Sequence, residues 1–505
     1  MNILTQAFNQ VFSNHPYNNE LIKQLNDHIA PIGGQNTGIA YAQLCSDMSL
    51  SLRSFGRNVL LNMIHDMDEQ FRSSTERMAR YYVKNTRERT IMTIFGPITF
   101  RRTEYQDRLT RENYCYVDRK LGIMKRDRYD CNIAALAAEM YASHNSMIKV
   151  GEIIGQMING YELNPDNAKT AISRQQVFRM VNRIKRMKIA PSMAEETPET
   201  LYFMADEKYI SLQYRKKEGK EEQPRKKMNK LAVAFSGREQ VIKKDGTFQK
   251  RWVLSGKWIF SYDDGHFWPQ LRDDMALRYD EAKIKRIYIL GDGASWIRAG
   301  AEDLMTADTR AKFALDRFHF GQALTKITKD KEKYQLLFDY ALHQDKGSFQ
   351  ALVDSIIEDK PQNRDTIQKN SDYILSQLKG IRTMYQEVKI GCAMEQAISH
   401  IMASPFTSVP KAYGRSHLPT YIGNRIHQQN GINIRRHYIE ALDRGLDEEG
   451  TADFTINDLD MSMFDGSDET YRPAKTSRNH RNKATEKRQP LAAISSVLSI
   501  YSAIT

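Results

Sequence analysis

Two aspartates follow short apolar segments in the middle of the chain. Asp206 comes directly after LYFMA, and Asp292 stands between two glycines after RIYIL. Apolar runs of this length that end in turn residues predict buried strands, and the flanking glycines permit a tight turn and close backbone approach. A carboxylate at the end of a buried strand is costly unless a cation compensates its charge. Asp206 and Asp292 are therefore candidate ligands for divalent metal ions.

Carboxylates in such positions are the groups that two-metal phosphoryl transfer requires. Mg²⁺ prefers oxygen ligands and is usually held by one or two carboxylates together with substrate phosphate oxygens. Two ions roughly 3.5–4 Å apart can activate the attacking oxygen and stabilise the leaving oxygen. Glu207 is a weaker candidate than Asp206, because an extended strand directs it to the opposite face. Ordinary turns also place aspartate after a strand, so a purely structural role stays open for both residues.

The segment that carries the two aspartates has the pattern of an α/β domain. Between about 196 and 320, short apolar or β-forming runs alternate with the helical stretch LRDDMALRYDEAK, and residues 215–230 form a charged loop. From about 320 to 390 the pattern is helical. That helical region and its surroundings hold many glutamates, most of them on solvated helix faces. The residues alone therefore do not select a third carboxylate.

The N-terminal third predicts helices interrupted by a small β-element. Apolar residues recur at three- and four-residue intervals up to about residue 85. From Thr90 to Gln106, apolar and polar residues roughly alternate around Gly96-Pro97, which predicts two strands joined by a tight turn.

A pair of helices between 132 and 187 has features of a DNA-reading unit. MIKVGEIIGQMI predicts one short amphipathic helix, and SRQQVFRMVNRIKRMKI predicts a second with Ser173 as its N-cap. In a helix-turn-helix the second helix lies in the major groove and presents Arg, Gln and Asn to base edges. An ordinary helical hairpin with a solvated polar face is an equal alternative. The candidate DNA-binding residues are Arg174, Gln175, Arg179 and Arg183.

Composition narrows the class of protein. Lys and Arg total 74 against 62 Asp and Glu, a formal charge of +12, which favours a polyanionic partner because phosphate contacts supply most non-specific nucleic-acid affinity. The four cysteines contain no CxxC pair, so neither a zinc site nor a disulfide framework is indicated. No signal peptide and no apolar run of about 18 residues is visible. We expect no membrane association and a cytoplasmic location, with binding to the nucleoid when the protein is on DNA.

Residues from about 85 to 405 resemble a known family. Their ordered blocks are similar to those of DDE-type bacterial insertion-sequence transposases of the ISLre group, which are related to the Mutator-like superfamily. The blocks are FGPITFRRTEYQDR, YVDRKLGI, MADEKYISLQ, IYILGDGASWIRAG, FALDRFHF and GCAMEQAISHIMAS.

The resemblance implies a catalytic triad and a fold. It makes Asp206 the first catalytic aspartate, Asp292 the second, and Glu395 the glutamate that composition leaves undetermined. These three residues would bind two Mg²⁺ or Mn²⁺ ions. The implied fold is an α/β RNase H-like catalytic core with an all-α insertion, preceded by helical and helix-turn-helix-like DNA-binding regions and a small β-element.

The resemblance also assigns two auxiliary active-site residues. Asp316 and His319 match an Asp-x-x-His motif that lies between the second and third acidic residues of Mutator-like enzymes. They would orient the DNA strand or help position the active site. A buried histidine satisfied by a neighbouring backbone carbonyl is the structural alternative.

The predicted organisation follows from these assignments. In chain order it has an N-terminal helical region (1–87), a small β-element (88–131), a helix-turn-helix-like DNA-binding region (132–190), the first part of the core (196–320), a helical insertion (321–390), the core completion with Glu395 (391–430) and a C-terminal region with a basic tail (431–505).

The function implied by the resemblance is DNA transposition. The expected reaction is phosphodiester hydrolysis at the element's ends followed by strand transfer into target DNA. The partners are the terminal inverted repeats and the target duplex, and the two ends of an element imply a homodimer or a larger assembly. Two alternatives remain, a structure-directed nuclease with the same fold and an inactive DNA-binding regulator derived from a transposase.

Overall fold

The computed structural model describes residues 38–124, 126–159, 172–184, 189–213, 225–242, 248–262, 266–388, 399–407 and 412–447, with the single residues 23, 187 and 390. The chain divides into two units. The first takes in residues 1–140, 146–184 and 438–505, and the second takes in residues 141–145 and 185–437. Glu395 lies outside the described residues, whereas the other predicted active-site residues lie in the described part of the second unit.

The first unit contains an antiparallel hairpin packed on a long helix. Helix α1 (Gly38–Ser73) and the short α2 (Thr75–Arg80) lead into β1 (Tyr81–Thr93), which pairs with β2 (Gly96–Asp107). Strand β3 (Asn113–Tyr114) pairs with β2. The structure contains the two strands and the tight turn that the alternating pattern predicts, but β1 begins earlier than residue 88.

An aromatic cluster explains the early start of β1. Tyr81 stacks on Tyr114 with ring centroids 4.7 Å apart, and both pack against Phe71 of α1. Tyr105 of β2 is fully buried in the same cluster. After Tyr81, the first half of β1 is exposed or half-buried and shows no alternation of buried and exposed positions. Hydrophobic periodicity therefore does not reveal it as a strand. Cross-strand pairing and this cluster supply the stabilisation instead.

Two helices of the first unit form the predicted helical pair. Helix α5 (Met147–Asn159) packs against α6 (Arg174–Asn182) through Gly151, whose carbonyl accepts a 3.1 Å hydrogen bond from the Ile172 N–H. Ser173 caps α6 as predicted, because its hydroxyl accepts a hydrogen bond from the Gln176 N–H at 3.3 Å. Residues 160–171, which connect the two helices, lie outside the described part. Further helices in the described part of this unit are α3 (Tyr116–Lys120), α4 (Cys131–His144) and α15 (Ile434–Asp447).

The second unit is built on a mixed five-stranded sheet in the order β10-β9-β4-β5-β8. Strand β4 (Thr200–Ser211) is parallel to β9 (Arg286–Gly291), and β9 is parallel to β10 (Arg310–Leu315). On its other side β4 is antiparallel to β5 (Lys226–Phe235), which is antiparallel to β8 (Trp258–Phe260). A separate hairpin of β6 (Gly237–Ile242) and β7 (Phe248–Ser255) follows β5. The fold is thus mixed α/β.

Strand β5 begins inside the segment that the sequence assigns to a charged loop. Lys226 pairs with Ser211, and Lys230 pairs with Glu207 of β4. The lysines in this half of β5 are exposed or half-buried, so their charged ends stay in solvent while the backbone completes the sheet. The loop prediction for residues 226–230 is therefore wrong, because it weighed charge alone.

Alternate residues of β4 face opposite layers of helices. Leu201, Phe203 and Ala205 pack into a buried cluster with α7 (Phe267–Arg278) and α8 (Ser295–Asp303). The opposite face carries Tyr202, Met204 and Asp206, since successive side chains of a strand alternate.

Five helices follow the last strand and have a core of their own. They are α9 (Arg317–Ile327), α10 (Lys331–His343), α11 (Lys346–Asp359), α12 (Arg364–Ser376) and α13 (Leu378–Gln386). We call these five helices the helical subdomain. Their buried residues form one cluster, the helical subdomain core.

Helix α13 packs directly on β10. The contact is so close at Gly380 that a Cβ there would lie 2.6 Å from the Phe313 ring. Helix α14 (Leu418–Gln429) comes later in the same unit, after a short π-helical turn, Ser399–Ala403, and one helical turn, Ser404–Phe406. Within the described residues, no helix has the length and apolar character needed to cross a membrane.

Candidate active site

Asp206 and Asp292 are neighbours on adjacent parallel strands. The register of β4 and β9 pairs Met204 with Leu290. Asp206 and Asp292 each come two residues later, so they occupy the same row of the sheet, at the point where β9 ends. The charge of Asp292 raises the pKa of Asp206, which is a second sign that the two side chains are close.

A third aspartate joins this row from the next strand. Strands β9 and β10 pair Gly291 with Leu315, and Asp292 and Asp316 each follow by one residue. The Asp316 N–H donates a 2.9 Å hydrogen bond to the Gly291 carbonyl, which continues the pairing beyond the last strand residues. Three aspartates thus occupy neighbouring backbone positions across β4, β9 and β10. We call Asp206, Asp292 and Asp316 the aspartate row.

The Asp206 carboxyl group is partly buried and strongly perturbed. Burial raises its pKa to about 6, and the nearby carboxylates of Asp292 and Glu207 act in the same direction. The Glu207 N–H donates a 2.7 Å hydrogen bond to Asp206 Oδ1, which acts in the opposite direction. The ionised form of Asp206 is therefore destabilised here, as expected for a ligand whose cation would supply the missing positive charge.

The Asp292 carboxylate is oriented by its own turn. Its Oδ1 accepts a hydrogen bond from the Ala294 N–H at 2.9 Å, and Gly293 between them has a φ of +89°. That backbone conformation is one that only glycine adopts without strain. The Asp292 carbonyl accepts a 2.6 Å hydrogen bond from the hydroxyl of Tyr373, which belongs to α12.

Gln377 packs on the same turn from the end of α12. Its side chain is 5% exposed, and its Nε2 donates a 3.4 Å hydrogen bond to the Gly293 carbonyl. A Cβ at Gly293 would lie 2.9 Å from Gln377 Cδ. The helical subdomain therefore contacts the turn that carries Asp292 through Tyr373 and Gln377. Neither residue stands out in the sequence, because each lies within an ordinary helical pattern and only the fold brings it to the turn.

Asp316 and His319 form a pair beside the other two aspartates. Asp316 is 6% exposed and caps α9, accepting a 3.3 Å hydrogen bond from the Phe318 N–H. His319 Nδ1 lies 3.2 Å from Asp316 Oδ2. This hydrogen bond raises the pKa of His319 above its ordinary value despite partial burial, and the carboxylates of Asp292 and Asp206 act in the same direction. His319 is thus close to both Asp206 and Asp292, and the partner of its Nδ1 is a carboxylate rather than a carbonyl.

Glu207 belongs to the opposite face of the sheet. Its Oε2 accepts a 2.5 Å hydrogen bond from Trp296 Nε1, and the Lys230 ammonium lies 5.0 Å from the centroid of the Trp296 ring. The same ring packs edge-to-face on Phe267. The Glu207 side chain therefore lies on the face of the sheet that α7 and α8 cover. This is the face opposite Asp206, as predicted for the next residue of an extended strand.

The donor set of the aspartate row fits a hard divalent cation. Asp206 and Asp292 supply carboxylate oxygens on neighbouring strands, and one or two carboxylates are what Mg²⁺ commonly takes from a protein. A bound cation would offset the burial and the charge repulsion that raise the pKa of Asp206. Within the described ranges, no three His, Cys, Asp or Glu side chains are grouped to hold a metal ion. The third predicted ligand, Glu395, lies outside those ranges.

The predicted DNA-reading residues lie in the first unit. On α6, Arg174 and Arg179 are exposed and Gln175 is half-buried. Arg183 directly follows the helix, and its guanidinium forms a 2.9 Å ion pair with Asp127 with 12% of its side chain exposed. Arg183 thus has a structural partner within its own unit. The buried residues of α6 are Val177, Phe178, Met180 and Val181.

Comparisons with known proteins find similar bacterial sequences. The UPF0236 protein TTE2489 of Caldanaerobacter subterraneus subsp. tengcongensis is 25% identical over 410 residues, which is 79% of this chain and 81% of the relative. Another UPF0236 protein of that organism, whose name joins eleven TTE designations, is 25% identical over 408 residues. These residues make up 79% of this chain and 80% of the relative.

Among solved structures, the chain is similar to a "Drosophila P element transposase strand transfer complex". It is 11% identical and covers 64% of this chain and 82% of its own, with a TM-score of 0.23. A TM-score of that size carries no argument about fold or function.

A family model matches residues 35–441, a range that includes α1 to α14, the aspartate row and His319. The family is described as "Uncharacterised protein family (UPF0236)". On this match, which covers most of the chain, the protein belongs to the UPF0236 family.

Proposed function

We propose that this UPF0236 protein is the DNA transposase of an insertion sequence, with a DDE-type active site. The observation that carries the proposal is the alignment of Asp206 and Asp292 in one row of adjacent parallel strands. Residue types and strand ends single out both positions without any knowledge of this contact. Two partly buried carboxylates, one with its pKa raised to about 6, form a site suited to divalent cations.

The strand arrangement supports an RNase H-like core. Strand β4 is central, with an antiparallel neighbour on one side and parallel neighbours on the other. Asp206 lies on this central strand and Asp292 follows its parallel neighbour β9. The helical subdomain follows β10 as the predicted insertion requires.

The residues that would hold the metal are Asp206, Asp292 and, by resemblance, Glu395. When bound, two Mg²⁺ or Mn²⁺ ions would activate the attacking oxygen and stabilise the leaving oxygen. The protein's part is to hold the carboxylates in register, and the sheet and the Gly293 turn do this. The first reaction adds water to the phosphorus of a terminal phosphodiester and releases a 3′-hydroxyl. That hydroxyl then attacks a phosphodiester of target DNA, and a target 3′-oxygen departs.

The Asp316–His319 pair would assist from beside the carboxylates. The raised pKa of His319 favours its protonated form, which places positive charge next to the aspartate row. A protonated imidazole can pair with a phosphate oxygen of the DNA strand, and Asp316 fixes the ring at Nδ1. The pair would thereby orient the scissile strand.

Recognition of the element's ends would use α6. Arg174, Gln175 and Arg179 are the proposed contacts to bases of the terminal repeat, while Arg183 would support the helix through its ion pair with Asp127. The two ends of an element must be joined in one complex, so we propose a homodimer or a larger assembly.

The names of the relatives give independent support for a mobile element. One UPF0236 relative has a name that joins eleven designations from a single strain. A protein that a genome holds under many designations is typical of sequences that are copied within it. A nuclease or regulator with a single cellular role would not be expected at so many loci.

A strand-transfer assay tests the proposal. Purified full-length protein would be incubated with DNA from the flanks of its gene, a target plasmid and Mg²⁺ or Mn²⁺, beside a Glu395→Gln variant. We expect metal-dependent joining by the wild type alone. Cleavage without joining would favour a structure-directed nuclease. Binding without chemistry in either protein would favour an inactive regulator and reject the transposase.

A further inference from the structure

Helix α12 reaches across the fold to the turn that carries Asp292. The Tyr373 hydroxyl donates a 2.6 Å hydrogen bond to the Asp292 carbonyl, which lies 81 residues earlier in the chain. One helical turn later, Gln377 donates to the next carbonyl, that of Gly293. Two successive carbonyls of the turn therefore accept hydrogen bonds from residues at the C-terminal end of α12.

The Tyr373 hydroxyl is well suited to hold this backbone. The side chain is half-buried, and burial together with the charges of Asp292 and Asp316 raises its pKa far above the ordinary value. The Tyr373 hydroxyl therefore stays protonated at neutral pH and can donate this hydrogen bond. Its acceptor is a main-chain carbonyl, so it fixes Asp292 without occupying a carboxylate oxygen.

Gln377 makes the turn rigid by packing as well as by hydrogen bonding. The left-handed φ of Gly293 brings its α-carbon so close to Gln377 that a Cβ there would lie 2.9 Å from Cδ. Gln377 is itself fixed, because it joins α12 to α13, where its carbonyl accepts the Ile381 N–H at 2.9 Å. Ile374 and Ile381 on either side are fully buried in the helical subdomain core. The turn thus rests on a well-packed part of the protein.

Groups that orient a metal ligand from outside the coordination sphere commonly set the affinity of the site. A carboxylate at the end of a strand can rotate with its peptide unit, and a small rotation displaces its oxygens. Hydrogen bonds to the Asp292 and Gly293 carbonyls restrain both peptide units that follow the Asp292 side chain. No comparable contact is needed for Asp206, which lies inside β4 and is held by strand pairing.

We propose that Tyr373 and Gln377 are positioning residues through which the helical subdomain sets the affinity of the Asp206–Asp292 site for a divalent cation. The inference rests on the proposed function only in requiring that these two aspartates bind metal. The helical subdomain would then contribute to metal binding by orienting Asp292, although it supplies no metal ligand itself.

Binding of Mn²⁺ alone to the full chain, followed by electron paramagnetic resonance of the free ion, tests the inference. The variants are Tyr373→Phe, which removes only a hydroxyl, and Gln377→Met, which keeps the side-chain length. We expect each to weaken Mn²⁺ binding by about 10-fold, the lower end of the effect typical of such partners. Tyr340→Phe is the matched control, because it removes a hydroxyl from α10 of the same subdomain, and it should bind Mn²⁺ like the wild type.

Thermal melts with and without Mn²⁺ separate positioning from simple stabilisation. If Tyr373→Phe and Gln377→Met lower the Tm equally in both conditions and leave the Mn²⁺ dissociation constant unchanged, the two residues are only structural and the inference is wrong. Asp292→Asn identifies a different failure. If that variant binds Mn²⁺ like the wild type, or if the wild type shows no saturable binding, the proposed metal site itself is wrong.

Discussion

At the scale of single residues, Asp206 combines a functional requirement with a cost in stability. Its carboxyl group is half-buried on β4, and its pKa of about 6 means that ionisation is unfavourable in the folded protein. The ordinary value for an aspartate is 3.8. In the metal-free protein, the folded state therefore binds a proton that the unfolded state releases between these two pH values. Stability consequently falls as pH rises through that window.

We therefore expect Asp206→Asn to stabilise the metal-free protein. Above pH 6 the gain should be about 1–2 kcal/mol, or a few degrees in Tm, after allowance for solvent screening. The gain should vanish near pH 4, where the wild-type carboxyl group is protonated in the folded protein.

Thermal melts in the presence of a chelator measure this gain. Glu207→Gln is the matched control, because it neutralises the neighbouring carboxylate, whose partner is Trp296 on the opposite face. Its charge is a lesser cause of the raised Asp206 pKa than burial, so the gain should be much smaller. An Asp206→Asn variant that melts below the wild type at pH 7 would show that the buried charge is compensated by a group other than a metal ion.

At the scale of elements, the turn after β9 connects the sheet to the helical subdomain. Its conformation depends on Gly293, which has a φ of +89° and lies against Gln377. The turn sets the direction of the Asp292 carboxylate through the hydrogen bond from Ala294. A strained or displaced turn would move that carboxylate while leaving β9 itself intact.

Gly293→Ala tests the role of this turn. The added methyl group meets both a disfavoured φ and the Gln377 side chain, so we expect a loss of about 1–3 kcal/mol in the free energy of unfolding and weaker Mn²⁺ binding. Gly237→Ala is the control, since a Cβ there would meet no atom within 4 Å. Equal stability and metal affinity in the two variants, measured by urea unfolding and Mn²⁺ titration, would contradict this account of the turn.

Helix α6 offers a second test at this scale. Arg179 is exposed, whereas Arg183 pairs with Asp127 at 2.9 Å. We expect Arg179→Gln to weaken binding to DNA from the element's end by roughly 10-fold, within the range for one lost base contact, with an unchanged Tm. Arg183→Gln should instead lower the Tm. Fluorescence anisotropy and thermal melts measure both effects, and a reversal of the two patterns would remove α6 as the reading helix.

The sequence predicts elements best where apolar residues are continuous. The apolar first half of β4 and strand β9 have that character, although β4 continues past Asp206 to Ser211. The β1–β2 hairpin was predictable instead from the alternation of apolar and polar residues around Gly96. Prediction is poorer where pairing rather than burial stabilises a strand, as in the first half of β1 and in Lys226–Lys230 of β5. Strand β10, with the sequence RAKFAL, is too short and mixed to be recognised by period alone.

The candidate site shows the same division. Asp206 and Asp292 could be selected from residue types and strand ends, whereas Asp316 and His319 came only from resemblance. Tyr373 and Gln377 could not be found in the sequence at all. Their relation to Asp292 depends on how α12 packs against a turn 81 and 84 residues earlier, and nothing in local sequence encodes a contact of that separation.

At the scale of the whole molecule, the proposed tasks divide between the two units. The first unit carries α6 and the β1–β2 hairpin, and the second carries the aspartate row, His319 and the helical subdomain. The net charge of +12 suits a protein that binds DNA through both recognition and catalysis. The UPF0236 match spans parts of both units, so the family shares more than the proposed catalytic core.

The proposed function requires that Asp206 and Asp292 form one metal centre. Anomalous scattering from crystals grown with Mn²⁺ tests it most directly. We expect an anomalous peak within about 2–2.6 Å of carboxylate oxygens from both residues, and loss of that peak in Asp292→Asn. Mn²⁺ bound elsewhere, or a peak that persists in the variant, would show that the two aspartates do not share a metal site.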